Sequence, residues 1–293
     1  MSLGVLNNLN ATYAENNLNN TNSSLTKTLQ QLSSGSRINS GADDAAGLSL
    51  VNGLSANSAA LTQSQTNATE GVGLLQVADG ALSQVTNLLN RAVTLATEAS
   101  NGTLNTAQTT AANQEFKSIL GEIDNIGATT TYNGNAVFGN TVTIYTGDST
   151  STSATTDALN IEAISTANGV GDTGGVVSYS GGAFSYTASA GQTLSTDDLT
   201  SGAQSALTDI STAINDVAAQ QGYVGSQINT LNAMSSVMAT QQQNVVSAQN
   251  AVQATDYAQA SSNLSKYEIL SQTGISALAQ ANSLQQEVTK LLQ

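Results

Sequence analysis

The chain has 293 residues, only 9% of them charged, and its six basic and twenty acidic residues give a net charge of −14. This balance argues against nucleic-acid binding, because phosphate contacts need clustered lysine and arginine. The chain has no cysteine and no histidine, which excludes thiol nucleophiles, imidazole bases and most zinc sites, so we expect neither a metal nor a cofactor.

The first predicted element is an amphipathic helix over about residues 3–32. Its polar part is mostly Asn, Thr, Ser and Gln, and Glu15 and Lys27 are its only charges. Such a face is either a solvated surface or one that meets copies of itself without charge repulsion. The apolar stripe repeats at helical spacing through Leu18, Leu25, Leu29 and Leu32.

A break follows from Ser33 to Ala42, where two glycines interrupt the helical pattern. Ser40 and Asp43 have the spacing of a capping box, so we predict that they cap the next helix. The adjacent Asp43 and Asp44 are expected to cap that helix. A metal site at the two residues is the weaker alternative, because two carboxylates without a further ligand hold a metal poorly.

Two long helices are predicted from ladders of apolar residues seven apart, a spacing that keeps one stripe on one side of a helix wound around a partner. Neither stripe can be buried alone, so we expect the two helices to pack against each other, with the middle of the chain extruded. The first ladder ends at Asn101-Gly102 and comprises Leu54, Leu61, Ala68, Leu75, Leu82, Leu89 and Ala96. The second spans about residues 200–254 and comprises Ile210, Val217, Val224, Leu231, Met238, Val245 and Val252.

The segment between the ladders reads as one short helix followed by strands. The helix covers about residues 106–128, and we take Gly127 as its end. From Thr129 to about Leu199 the pattern has period two, with a hairpin turn predicted at Asn133-Gly134. Residues 148–157 are predicted to form a mobile loop. Further strands are predicted around Val142, Ile144, Leu159, Ile161, Val177, Tyr179, Phe184 and Tyr186.

A final amphipathic helix follows Asp256, with Leu270, Ala277, Leu284 and Leu291 seven apart. Its predicted partner is the first helix. The predicted fold is mainly α: a long antiparallel helical bundle or coiled-coil rod with paired terminal helices and a small β-hairpin-rich middle. Two helices alone bury little surface, so we expect the terminal pair to be loose in a free monomer and to order when many copies pack together.

No segment approaches 18 consecutive apolar residues, so membrane insertion is not expected. The first twenty residues have neither a basic n-region nor an apolar h-region, so we expect no cleavable signal peptide.

Three stretches closely resemble the bacterial flagellin family. They are LSSGSRINSGADDAAGLSL at 32–50, NATEGVGLLQVADGALSQVTNLLNRAVTLATEASNGTL at 67–104 and DYAQASSNLSKYEILSQTGISALAQANSLQQEVTKLL at 256–292. They occur in the family's order, and the resemblance covers about residues 3–138 and 203–292.

The resemblance implies five segments. Residues 1–45 would form the N-terminal helix and loop of an inner core domain, and 256–293 its C-terminal helix. Residues 46–140 and 201–255 would form the outer core helical domain, and 141–200 a variable β-rich surface region.

The resemblance also implies a function. The chain would be a structural subunit, not an enzyme, that polymerises into the extracellular flagellar filament for swimming after unfolded export through the flagellar type III system. Its partners would be copies of itself, an export chaperone, a cap protein and the hook–filament junction proteins. The leucines of the two terminal helices, from Leu18 to Leu32 and from Leu270 to Leu291, would carry polymerisation.

Three other functions fit the sequence less well. A hook–filament junction protein of the same apparatus is the alternative. A flagellin with a metalloprotease insert is excluded, because the HExxH helix needs histidine. A signalling coiled coil would be expected to have charged e and g positions or a membrane anchor, and both are lacking.

The resemblance places Arg91, Leu95 and Glu115 where flagellins carry a subunit-contact surface that the vertebrate innate receptor for flagellin also reads. This sequence departs from the family around that surface, with uncharged residues where basic ones are common: Val93, Ile119, Gln221 and Thr230. A role for Arg91 in packing between subunits alone is an equal alternative.

Overall fold

The computed structural model describes residues 8–148, 156–166, 169–170, 176–180, 183–187 and 194–291. Five α-helices occur in these ranges: α1 Leu9–Ser34, α2 Ala45–Ser100, α3 Thr106–Thr129, α4 Leu199–Gln253 and α5 Tyr257–Leu291. A short 3-10 helix, Leu194–Thr196, precedes α4. Within the described ranges, no helix combines the length and apolar character needed to cross a membrane.

The strands of the middle region are short and pair two by two, each pair antiparallel. The pairs are β1 Thr131–Tyr132 with β2 Asn135–Ala136, β3 Asn140–Tyr145 with β4 Thr156–Ile161, β5 Ile164–Ser165 with β6 Gly169–Val170, and β7 Val176–Ser180 with β8 Ala183–Thr187. This confirms the predicted class, mainly helical with a small hairpin-rich middle. Of the predicted mobile loop, residues 149–155 lie outside the described residues.

The turn between β1 and β2 has the predicted chemistry. Asn133 has φ 50° and Gly134 has φ 81°, and a two-residue turn with both central φ angles positive is the type that Asn-Gly favours.

The chain divides into two compact units. One comprises residues 1–56 and 244–293, which we call the terminal unit, and the other comprises residues 57–243, which we call the central unit.

The central unit has a core built on the two predicted ladders. Within it, α2 and α4 run antiparallel: Nε2 of Gln242 donates to Oγ1 of Thr62 at 2.7 Å, and Cδ1 of Leu231 lies 3.1 Å from where a Cβ on Gly71 would stand. The ladder residues of α2 are buried from Leu61 to Ala96 and those of α4 from Ile210 to Met238. The outermost members, Leu54, Val245 and Val252, are half-buried. The seven-residue spacing therefore identified the packed seam.

In the terminal unit, α1 pairs with α5, which confirms the predicted pairing of the terminal helices. Nδ2 of Asn8 donates to the carbonyl of Ala281 at 3.0 Å, and Oγ of Ser271 donates to Oδ1 of Asn22 at 3.2 Å, so the two helices run antiparallel. Among the described residues of α1, only Thr28 is fully buried. The pair is therefore thin, because each helix has only one packed side.

The prediction that Gly127 ends the third helix is wrong. The helix α3 continues to Thr129, and the N–H of Thr130 still donates to the carbonyl of Ile126 at 3.1 Å. Gly127 is buried inside the helix because Ile164 of β5 packs on it, leaving no room for a side chain. The glycine marks a close approach of a strand and not a helix end.

Candidate functional site

Exposed apolar side chains concentrate in the terminal unit. Of the thirteen large apolar side chains that are exposed among the described residues, ten belong to this unit. They are Leu9, Tyr13, Leu29, Leu50, Val246, Tyr257, Ile269, Leu270, Ile275 and Leu284. Such a concentration of uncovered apolar surface is typical of an interaction site.

The leucines singled out from the sequence of α1 mostly face its partner helix. Leu18, Leu25 and Leu32 are half-buried, and Cδ1 of Leu18 lies 3.2 Å from where a Cβ on Gly274 would stand. Leu29 is the exception, with 49% of its surface exposed.

The predicted leucine row of α5 is instead largely solvent-exposed. Leu270 is 43% exposed and Leu284 is 47% exposed, whereas α5 meets α1 through smaller residues that include Ser271, Gly274 and Ala281. Leu291 is the last residue of α5, and its side chain lies outside the described residues. The small residues let the two backbones approach, and the leucine row remains uncovered in the monomer.

An open groove of about 480 Å³ runs between α1 and α5. One part of its lining is apolar, including Leu18, Leu270 and Ala277, and another part consists of uncharged polar residues that include Asn17 and Thr21. No charged residue lines it. A helix with a similar uncharged surface could therefore pack along it without desolvating a charge.

Charge is distributed unevenly between the two units. By sequence, the terminal unit has six acidic and four basic residues, a net charge of −2, whereas the central unit has fourteen acidic and two basic residues, a net charge of −12. Copies of the terminal unit therefore repel one another weakly, while copies of the central unit repel strongly where salt does not screen them.

The two chain segments that connect the terminal helices to the long helices are held together by main-chain bonds. The N–H of Arg37 donates to the carbonyl of Gln253 at 2.7 Å, and its guanidinium donates to the carbonyl of Val252 at 2.7 Å. The N–H of Thr255 donates to the carbonyl of Gly35 at 3.1 Å. Gly35 has φ 70° and ends α1. These bonds hold the end of α1 beside the start of α5.

Ser40 and Asp43 come together in the turn that precedes α2. The N–H of Asn39 and both the N–H and hydroxyl of Ser40 donate to Oδ2 of Asp43 at 3.1–3.2 Å, while Nζ of Lys27 lies 2.7 Å from Oδ1. The hydrogen bond from Lys27, followed by that from the N–H of Asn39, lowers the pKa of Asp43 to about 2. The site therefore joins α1 to the turn.

The side chain that caps α2 is Asp44, one of the two adjacent aspartates predicted to cap this helix. The helix begins at Ala45, and Oδ1 of Asp44 accepts from the N–H of Gly47 at 2.8 Å. This is the normal bond from an N-cap oxygen to the third residue of a helix. The predicted Ser40–Asp43 pair closes the preceding turn instead, because it stands too far upstream to reach the first free N–H groups of α2.

Arg91 and Glu115 form an ion pair between α2 and α3. Both Nη2 and Nε of Arg91 reach Oε1 of Glu115, at 2.7 and 2.8 Å, and each side chain is about half exposed. Leu95, the third residue of the predicted patch, is only 3% exposed and belongs to the core. The structure therefore brings Arg91 and Glu115 together on the surface and places Leu95 in the interior.

A pair of carboxyl groups near the start of α4 escaped sequence analysis. Burial, with the negative charge of Asp209, raises the pKa of Asp197 to about 6. The adjacent Asp197-Asp198 sequence is visible in the chain, but the partner on α4 follows only from the fold. Across the described part of the chain, no three acidic side chains gather in a way that could hold a metal ion.

The chain is similar to flagellins at both ends. Residues 5–143 match the family model of the bacterial flagellin N-terminal helical region, and residues 207–292 match that of the bacterial flagellin C-terminal helical region. Flagellin of Listeria monocytogenes is 32% identical over 277 residues, covering 94% of this chain and 94% of that protein. Flagellin of Salmonella muenchen is 40% identical over 135 residues, covering 45% of this chain and 27% of that protein.

Among solved structures, the crystal structure of Bacillus cereus flagellin is similar to this chain, with 26% sequence identity and a TM-score of 0.45. The similarity covers 59% of this chain and 88% of that chain.

Proposed function

Because this chain belongs to the bacterial flagellin family, whose members are structural filament subunits, we propose that it polymerises into a flagellar filament through α1 and α5 and so serves swimming. The family assignment confirms the resemblance predicted from the sequence. The five segments inferred from that resemblance remain part of the proposal, with residues 1–45 and 256–293 as the inner core, 46–140 and 201–255 as the outer core helices, and 141–200 as the variable surface.

The observation that carries the proposal is the uncovered apolar surface of the terminal helices. Eight of the thirteen exposed large apolar side chains lie on α1 and α5, in a unit whose net charge is only −2. Burial of apolar surface contributes about 25 cal/mol per Å². Side-by-side packing of many copies would cover this surface without bringing many like charges together.

The limited packing of α1 on α5 is the reason why assembly would need contacts with several copies of the chain at once. Fixing the backbone of one residue costs about 1–2 kcal/mol, and within a monomer each terminal helix has only one packed side with which to offset that cost. Contacts with several copies would supply the missing burial, so the terminal helices would gain most of their stability in the polymer.

Export and assembly factors complete the proposal. The chain would leave the cell unfolded through the flagellar type III apparatus, with a chaperone on its C-terminal helix before export and a cap protein at the filament tip. The exposed row of Leu270 and Leu284 offers such a chaperone an apolar helix face. At its base the filament would contact the hook–filament junction proteins.

A hook–filament junction protein is the alternative within the same apparatus. It is disfavoured because the DDAAG run at 43–47 and the SALAQAN run at 276–282 resemble filament subunits. Counting copies per cell separates the two functions, since a junction protein is present in few copies and a filament subunit in very many.

Arg91 and Glu115 are poor candidates for recognition by the innate receptor, which leaves a contact between subunits as their proposed role. Each already has a partner in the other, so a receptor would have to accept the ion pair as it stands or break it. Leu95 lies in the core, and the surrounding positions Val93 and Ile119 carry no positive charge.

Removal of α5 tests the proposal. We expect a chain ending at Asp256 to keep a folded helical core and to stay monomeric under salting-out conditions that polymerise the full chain. Circular dichroism would show whether the helical core persists, and negative-stain electron microscopy would show whether filaments form. Filaments from the shortened chain would overturn the role assigned to α5.

A further inference from the structure

The chain contains the same dipeptide, Asn-Gly, in three different backbone settings. Asn52-Gly53 lies inside α2, Asn101-Gly102 follows the end of α2, and Asn133-Gly134 forms the turn between β1 and β2. A fourth pair begins at residue 168, outside the described residues. All three described asparagines are exposed, so exposure does not distinguish them and only the backbone does.

Asn-Gly is the dipeptide in which asparagine deamidates most readily, through attack by the backbone nitrogen of the next residue. The amide nitrogen of the glycine loses its proton and attacks Cγ of the asparagine. The new N–Cγ bond closes a succinimide ring, the Cγ–Nδ2 bond breaks, and Nδ2 takes up a proton through water and leaves as ammonia. Water then opens the ring at either carbonyl, giving aspartate or isoaspartate. The reaction needs water and no oxidant, and it needs a glycine nitrogen that is free to turn toward the side chain.

We propose that Asn133, and as a second site Asn101, are spontaneous deamidation sites of the folded protein, and that Asn52 is protected. In a two-residue hairpin turn the N–H of the second turn residue takes no part in the strand ladder. Gly134 also has open space around it, since nothing lies within 4 Å of where a Cβ would stand. The attacking nitrogen is therefore not bonded into the sheet, and the side-chain position of Gly134 is open.

The second site stands at a helix end. The N–H of Asn101 donates to the carbonyl of Glu98 at 3.2 Å, but Gly102 has already left the helix with φ 66° and has nothing within 4 Å of a Cβ position. The last turn of a helix opens easily, so the ring can close there after a small local movement.

Asn52 differs only in its backbone. Gly53 also has no atom within 4 Å of a Cβ position, but it lies well inside α2, which spans Ala45–Ser100. There its N–H donates to the carbonyl four residues earlier. Ring closure at Asn52 requires that bond to break and the helix to unwind locally, a cost that the turn does not impose.

Of the two products at Asn133, only isoaspartate would alter the hairpin. Aspartate followed by glycine still favours the same turn, so that product adds only a negative charge to a unit that already carries −12. Isoaspartate adds a methylene to the main chain of a two-residue turn. The hydroxyl of the neighbouring Tyr132 lies 3.1 Å from where a Cβ on Gly73 of α2 would stand, so a longer turn would disturb the seating of β1 on α2.

The test is ageing of the folded full-length chain in mildly alkaline buffer, with peptide mapping by mass spectrometry and enzymatic methylation to count isoaspartate. We expect Asn133 and Asn101 to convert, and Asn52 to convert at least about tenfold more slowly than Asn133 because its helix must open first. In denaturant the three sites should react at similar rates, which controls for sequence. The variant Asn133→Gly keeps a turn-compatible pair and should lose the signal at that peptide while leaving Asn101 unchanged. Equal conversion of Asn52 and Asn133 in the folded chain, or an unreactive Asn133, overturns the proposal.

Discussion

Ile164 packs directly on Gly127, so the first strand of the β5–β6 pair rests on the backbone of α3 at a position where a side chain would collide with the carbonyl of Ile164. We expect Gly127→Ala to destabilise the central unit by about 1–3 kcal/mol, because overpacking forces the strand or the helix to shift. Gly121→Ala is the matched control in the same helix: nothing surrounds that position, so the alanine should stabilise the helix by up to about 1 kcal/mol. Urea denaturation measures both, and equal effects of the two variants would contradict close packing of Ile164 on Gly127.

The ion pair of Lys27 with Asp43 predicts an acid-sensitive turn before α2. Lys27 and then the N–H of Asn39 lower the pKa of Asp43 to about 2 from its ordinary value of 3.8. Since this folded-state value is the lower one, the stabilisation is present above pH 3.8 and is lost as the pH falls towards 2. Replacing Lys27 by Gln should raise the pKa of Asp43, as read from its carboxyl carbon by NMR. An unchanged pKa in that variant would show that the backbone donors alone set it.

Asp197 predicts the opposite dependence on pH. Burial, and then the nearby charge of Asp209, raise its pKa to about 6 from 3.8. The folded state therefore holds this proton more tightly than the unfolded state, and stability should fall as the pH rises from about 4 through 6. Asp209→Asn should bring the pKa of Asp197 down and flatten this loss. Denaturation at several pH values measures whether the free energy of unfolding falls between about pH 4 and 6 and whether Asp209→Asn reduces that fall. A free energy of unfolding that rises over this interval would refute the prediction.

Gln227 is a buried amide on the packed side of α4. It is 1% exposed, and neither its oxygen nor its nitrogen has a hydrogen-bond partner among the described residues. A buried polar group without a partner costs about 1–3 kcal/mol, so Gln227→Met, which has a similar volume, should stabilise the chain by a comparable amount. Gln220→Met is the matched control and should gain less, because Nε2 of Gln220 donates to the carbonyl of Glu162 at 3.4 Å. Destabilisation by Gln227→Met would mean that the amide has a role in the core.

The long-range plan of the fold could be predicted from the sequence, because in α2 and α4 the seven-residue apolar period follows the packed side of each helix. It identified the buried ladders of α2 and α4 and the pairing of α1 with α5. The Asn133-Gly134 turn was equally predictable, because positive φ angles select those residues.

The features that could not be predicted are of two kinds. Some are set by residues distant in sequence, and others by a position only one helical turn away from the predicted one. Gly127 looked like a helix end because glycine commonly ends helices. The strand that explains this glycine begins only at Ile164, too far along the chain to be linked to it from the sequence. Ser40 and Asp43 were expected to help cap α2 because their spacing fits a capping box, whereas of the predicted residues only Asp44 stands directly before the helix and caps it. The leucine row of α5 resembled a buried stripe, but small residues occupy the contact with α1, so the row stays uncovered. Periodicity alone does not tell which of two neighbouring stripes the partner covers.

That uncovered row gives the most direct test of the central claim, that copies of this chain assemble through the outer faces of the terminal helices. The double variant Leu270→Glu and Leu284→Glu changes side chains that are 43% and 47% exposed in the monomer, so circular dichroism should be unchanged. The matched control, Gln272→Glu, adds a charge at an exposed polar position of the same helix. Under salting-out conditions, negative-stain electron microscopy should show uniform filaments from the unmodified chain and from Gln272→Glu, and none from the double variant. Normal filaments from the double variant would contradict assembly through this face.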